Sequence, residues 1–65
     1  MTYVTFFSHY GAIRFKKNME ARGAVVTLMP VPRFLSSSCG TCARLDDRDA
    51  VNLPMEDVEG VYAQR

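Results

Sequence analysis

The sequence has no tryptophan, one histidine and two cysteines, and no excess of either charge: eight Lys and Arg stand against seven Asp and Glu, a formal +1. A nucleic-acid-binding surface normally shows as a clustered basic face. Here the basic residues are scattered, so no nucleic-acid partner is expected. No window approaches the roughly 18 apolar residues of a membrane span, and Met1 to Phe7 lacks a basic segment leading into an apolar one. Neither a membrane partner nor a secretory leader is expected, and a cytoplasmic location follows as the default. In a reducing compartment two cysteines are read as free thiols, a redox pair or metal ligands before a structural disulfide. A lone Cys-x-x-Cys is half of a four-thiolate zinc site. The Asp46, Asp47 and Asp49 run lacks a glycine-centred calcium loop and is explained by a helix N-terminus, so no metal and no other cofactor is expected.

What is present fits a single domain, residues 1–65, and a domain of that size buries only about 60% of the surface its unfolded chain exposes. With 48% hydrophobic residues it can build one small core, with a partner or a second copy as further support. Tyr3-Val4-Thr5-Phe6-Phe7 is β-branched and aromatic, which predicts a first strand ended by the polar Ser8-His9. Ser8 is a good N-cap; Ala12, Phe15 and Met19 recur at helical spacing between His9 and Arg22, and Gly23 supplies a stop. Ala24–Met29 reads as a second strand closed by Pro30 and Pro32, Thr41–Leu45 as a short third and Val58–Ala63 as a fourth. Asp46-Asp47-Arg48-Asp49 reads as the start of a second helix that Pro54 limits to about two turns.

That order predicts an α+β fold, a ferredoxin-like split βαβ sandwich: a small antiparallel sheet with one full helix and a shortened second helix, the third strand lying between the first and second. One edge of such a sheet gathers the end of strand 1, the start of the helix and the strand 2 to strand 3 connection. Ser8 and His9 are therefore expected near Ser38, Cys39 and Gly40. With helices on one side only, residues such as Tyr3 and Phe7 face outward, and a homodimer through that open sheet face, or a larger partner, would bury them.

The chain's most informative stretch is Val31 to Cys42, which holds both cysteines and three consecutive serines and is entered through Pro30 and Pro32. Pro30-Val31-Pro32-Arg33, followed by Ser37-Ser38-Cys39-Gly40, resembles the bacterial Se/S carrier protein-like family, a domain of unknown function. Phe6-Phe7-Ser8, the Ala12-containing helix ending at Gly23, and Val61-Tyr62 match it as well. The resemblance implies that Cys39 carries sulfur or selenium, as a persulfide or selenylsulfide, for transfer to a donor or acceptor protein. Cys42 stands where the family's pattern is more often small or apolar, which raises dithiol chemistry, and the segment around Pro54 is shorter than the family's usual second helix.

A carrier cysteine must ionise and stay accessible, because the thiolate is the attacking species. The expected topology sets Cys39 beside the positive end of the first helix, with His9, Arg33 or Arg44 as candidate cationic neighbours and the amides of Ser37, Ser38 and Cys39 as donors. Gly40 lets the backbone bend closely around the sulfur. The plain alternatives are a small buried hydrophobe for Cys39, a solvated first-turn residue for His9 and an edge-strand charge for Arg33. On an extended strand, an offset of three puts Cys39 and Cys42 on opposite faces; in a tight turn they meet, and Cys42 becomes a resolving thiol.

The leading expectation is a thiol carrier or accessory protein rather than an enzyme, with Cys39 as the attachment atom, Cys42 as a second thiol, and Gly40, Arg33, His9 and Ser38 in support. A dithiol redox module using Cys39 and Cys42 is the second reading, although no substantial helix follows the Cys-x-x-Cys. A non-catalytic dimerising or interaction domain is the third. RNA binding ranks lowest, since Cys42-Ala43-Arg44-Leu45 lacks the aromatic signature of RNA-binding strands.

Overall fold

The computed structural model describes residues 1–64. Its elements in chain order are β1 (Thr2–Phe6), α1 (His9–Ala21), β2 (Val26–Pro30), β3 (Thr41–Leu45) and β4 (Val58–Ala63). The four strands form one sheet in the order β2-β3-β1-β4, and each neighbouring pair is antiparallel. The fold is thus small α+β, one helix on a four-stranded antiparallel sheet, consistent with a ferredoxin-like arrangement. As expected, β3 lies between β1 and β2.

Both ends of α1 are written into the sequence. The Ser8 side chain accepts from the Gly11 amide at 3.1 Å, which satisfies one of the first-turn donors left without a helical partner. At the other end, the amides of Gly23 and Ala24 donate back to the carbonyls of Glu20 and Met19, a Schellman closure that needs Gly23 at φ +88°. Ala12, Phe15 and Met19 form the buried stripe. They meet Val4, Phe6, Val26, Ala43, Leu45 and Val58 in one core, where the Phe6 and Phe15 rings lie 5.1 Å apart.

Some boundaries differ from expectation for local reasons. β2 begins at Val26 rather than Ala24, because the Ala24 amide is spent closing the helix on Met19. β1 runs from Thr2 to Phe6, and Phe7 is left 61% exposed beyond its end. The second helix of about two turns is corrected to a single 3-10 turn, Asp47–Asp49. Asp46 caps it through the Arg48 amide, while the Asp47 carboxylate is taken by the Thr2 hydroxyl at 2.7 Å. Asn52, at φ +54°, then turns the chain away from any helical path. Ala50 and Leu53 still pack against the core from this segment, so the turn covers part of the sheet that a helix would have covered.

The segment that follows comes back tightly against the start of α1. Arg14 holds Asp57 through two bonds of 2.9 and 2.6 Å, which lowers the Asp57 carboxyl below its ordinary range. Gly11 permits this approach: a Cβ added there would lie 2.8 Å from the Asp57 Cβ. Glycine to alanine in a helix ordinarily adds about 0.5–1 kcal/mol of stability. Here the sign is expected to reverse. Thermal unfolding of Gly11→Ala should show a midpoint about 4–8 °C below the parent, as a loss of ~1 kcal/mol produces in a domain of this size.

Candidate functional site

Between β2 and β3 the chain makes a strap that crosses the end of the sheet. The Val31 amide donates to the Gly40 carbonyl at 3.2 Å and closes its base. From there, a turn in which the Leu35 amide donates to the Pro32 carbonyl at 3.0 Å carries exposed Arg33 and Phe34 at its tip. The Phe34 ring meets the Tyr3 ring edge-on at 5.5 Å, on the sheet face away from α1. That face is therefore covered at one end by the chain's own strap: Thr5 and Cys42, paired across β1 and β3, are both 0% exposed. At the other end Thr27, Arg44 and Tyr62 remain exposed.

The strap is pinned where it passes the ends of β1 and β4. Ser37 Oγ donates to the Phe6 carbonyl at 3.1 Å, with the Thr41 carbonyl as a second acceptor at 3.4 Å. Next to it, the Ser38 amide and hydroxyl both donate to the Glu59 carboxylate, at 3.0 and 2.6 Å. Glu59 can reach because the β1–β4 register shifts between Thr5 and Phe6: Gly60 pairs with Thr5 and Val58 with Phe6, leaving Glu59 as the extra residue. A bulge of this kind re-aims a side chain that regular alternation would point elsewhere.

Cys39 follows these two ties directly. It is half-buried, packed against the edge of the core, and a free thiol. Its amide donates to Ser37 Oγ at 3.3 Å, its Sγ lies 3.6 Å from the same oxygen, and Sγ also faces the Thr41 carbonyl at 3.5 Å. Gly40 turns the chain into β3 at φ +72°, a left-handed conformation; an added side chain would have open space, so it is the backbone angle that calls for glycine. His9, on the first turn of α1, is exposed and reaches Thr41 Oγ1 at 3.2 Å. It lines a surface depression with Leu28, Met29, Pro30, Gly40 and Thr41.

Of the expected gathering of Ser8 and His9 with Ser38, Cys39 and Gly40, the structure sets His9 beside Gly40 and Thr41, while Ser38 is tied to Glu59 at the start of β4. The polar contacts at Cys39 Sγ come from Ser37 and Thr41, with neither His9 nor Arg33 among them. Arg44 lies toward the far end of β3, paired with Tyr3 and Thr27. Cys42 is the second residue of β3 and points to the face opposite Ala43 and Leu45, under the strap, with Sγ 4.0 Å from the Pro30 carbonyl. Burial, and secondarily the nearby Cys39, push its thiol up. Three residues that shape the site were missed: Ser37, considered only for its amide, together with Thr41 and Glu59. Gly60 inside a strand pattern is the sequence signal that could have exposed the bulge and hence Glu59.

A small α+β domain with one thiol held at the surface in a pinned strap, and a second sealed beneath it, is the class that fold and site define. The family model described as "Putative Se/S carrier protein-like" matches residues 1–59, and the chain belongs to that family. The matched span takes in the strap, Cys39 and Glu59. No curated protein and no solved structure gave a match. Among the described residues, no helix is long and apolar enough to cross a membrane.

The Glu59 tie titrates. The Ser38 hydroxyl, then the Ser38 amide, hold this carboxyl below its ordinary range. A carboxylate lowered on folding stabilises fully above its unfolded value near about 4.3, and that contribution is lost as pH falls through the lower folded value. Acidification below about pH 4 should therefore loosen the strap, and Glu59→Gln should loosen it at neutral pH. The expected readout for Glu59→Gln is roughly three- to tenfold faster amide exchange at Ser38 and Cys39, with the β1–β3 amides unchanged. Unchanged exchange at Ser38 would remove Glu59 from the site.

Proposed function

We propose that this protein is a carrier of sulfur or selenium rather than an enzyme, with Cys39 as the attachment atom and a second protein as donor or acceptor. The observation that carries this reading is the contrast between the two thiols: Cys39 is partly exposed in a pinned strap and Cys42 is wholly enclosed. In loading, the Cys39 thiolate attacks the outer sulfur of a donor persulfide. The donor's S–S bond breaks, the new bond forms at Cys39 Sγ, and the donor leaves as its thiolate. Selenium would follow the same course. Ser38 and Gly40 hold the strap's shape on either side of the sulfur, while His9 and Arg33 are candidates for meeting an anionic partner group. A reducing, cytoplasmic setting suits a thiol that must be free before loading.

The test is intact mass after incubation with a small-molecule persulfide donor, read before and after dithiothreitol, for the parent, Cys39→Ser and Cys42→Ser. The parent and Cys42→Ser should gain one sulfur that dithiothreitol removes, and Cys39→Ser should gain none. Labile sulfur on Cys39→Ser would overturn the assignment. A loss of two hydrogens requiring both cysteines would replace it with the dithiol reading.

A further inference from the structure

Among the described residues, Ser37 is the one whose side-chain hydroxyl touches the Cys39 sulfur, and its bonding is over-subscribed in a particular way. The hydroxyl has a single proton, yet three groups around it can accept one: the Phe6 carbonyl at 3.1 Å, the Thr41 carbonyl at 3.4 Å and Cys39 Sγ at 3.6 Å. The Cys39 amide already donates to its oxygen at 3.3 Å. While Cys39 is a thiol, its S–H has an acceptor in the Thr41 carbonyl, and the Ser37 proton goes to the nearer carbonyl of Phe6. Once the sulfur is an anion, that arrangement leaves Sγ against the Thr41 carbonyl oxygen with no donor from a side chain. A hydroxyl turns about its C–O bond at little cost, and hydrogen bonds to charged acceptors are roughly twice as strong as neutral ones.

We propose that Ser37 acts directly on the leaving sulfur during release: its hydroxyl turns from the Phe6 carbonyl to Cys39 Sγ as charge returns to that sulfur. This rests on the carrier reading above. In unloading, an acceptor thiolate attacks the outer sulfur of the Cys39 persulfide. The S–S bond at Cys39 breaks, its electron pair goes to Sγ, and the acceptor leaves as the persulfide. Sγ is then the leaving group, within reach of Ser37. In the loaded state the charge sits on the outer sulfur, one S–S bond of about 2.05 Å further out. Ser37 thus favours the unloaded thiolate over the loaded form, which directs it to release rather than storage.

The experiment has two arms, so that failure of the carrier reading and failure of this one are separate results. Without any sulfur loaded, the rate of Cys39 alkylation by iodoacetamide is followed against pH in parent, Ser37→Ala and Ser37→Thr. Beside it, the carbonyl carbon shift of Phe6 is followed by NMR in the parent and in Cys39→Ala. The other ionisable groups on the elements around the site are His9 on α1, Glu59 on β4, Arg33 on the strap and, on the opposite face of β3, Cys42. His9→Gln and Cys42→Ser backgrounds take the imidazole and the second thiol out of the profile. The expected results are a Phe6 carbonyl shift with the same midpoint as Cys39 alkylation, absent in Cys39→Ala, and an alkylation profile displaced upward in Ser37→Ala and restored in Ser37→Thr. With the persulfide loaded, release to a small thiol should slow roughly tenfold in Ser37→Ala, the loss of one charge-assisted hydrogen bond. A Phe6 carbonyl that does not respond to Cys39, or a Ser37→Ala profile that matches the parent, overturns the proposal. The carbonyl measurement decides it in the parent even where Ser37→Ala fails to fold. If no sulfur loads, the carrier reading falls while the first arm still decides what Ser37 does.

Discussion

Phe6 is the residue on which the core and the site both depend. Its ring packs at a tilt against Phe15 in the middle of the core, its carbonyl receives the Ser37 hydroxyl, and its register with Val58 forces Glu59 out of the regular pairing. One residue therefore fixes three things: how α1 sits on the sheet, where the strap crosses it, and which side chain ties the strap down. Truncating the ring would remove far more than a hydrophobic contact. Burying an aromatic of this size contributes a few kcal/mol in any small core, and here the same backbone position also sets the frame around Cys39.

The strap is the expensive part of the structure. Ordering each residue of a connection costs about 1–2 kcal/mol of backbone entropy, while a typical hydrogen bond returns only about 1 kcal/mol net. The bonds from Ser37, Ser38 and Val31, and the Phe34 ring on Tyr3, are concentrated at four points rather than spread along the segment. That distribution leaves Cys39 between two firm anchors, the Ser37–Ser38 pair before it and the Gly40 turn after it. A half-buried sulfur placed this way is held in a defined position, which on the carrier reading suits a hand-over between two proteins.

Much of this was legible in the sequence wherever local chemistry decides the outcome. Ser8 and Gly23 mark the ends of α1 through capping, Ala12, Phe15 and Met19 mark its buried face, and the bounds of β3 and β4 follow from alternation and flanking turns. The meeting of His9 with the β3 start follows from the split βαβ order alone. What escaped was governed by side chains acting over long sequence distances. The Glu59 to Ser38 tie depends on a bulge two strands away, and Asp47 of the 3-10 turn is held by Thr2 at the far end of the sequence. The strap's cover over Thr5 and Cys42 was invisible for the same reason: alternation says which way a side chain points, and cannot say that a loop will fold back over it.

If the carrier reading holds, that cover bears on why two cysteines can stand so close. A persulfide on Cys39 is vulnerable to any neighbouring thiolate: attack on Cys39 Sγ by Cys42 would form the Cys39–Cys42 disulfide and expel the cargo as hydrosulfide. Two features of Cys42 oppose that reaction. Alternation along β3 and the strap above it hold the Cys42 side chain on the sheet face away from α1, while Cys39 packs against the core on the other side. Burial also pushes the Cys42 thiol up, which keeps it in the unreactive protonated form. On the carrier reading, the seal over Cys42 is as much a part of the site as the exposure of Cys39, because storage lasts only while the second thiol stays out of reach.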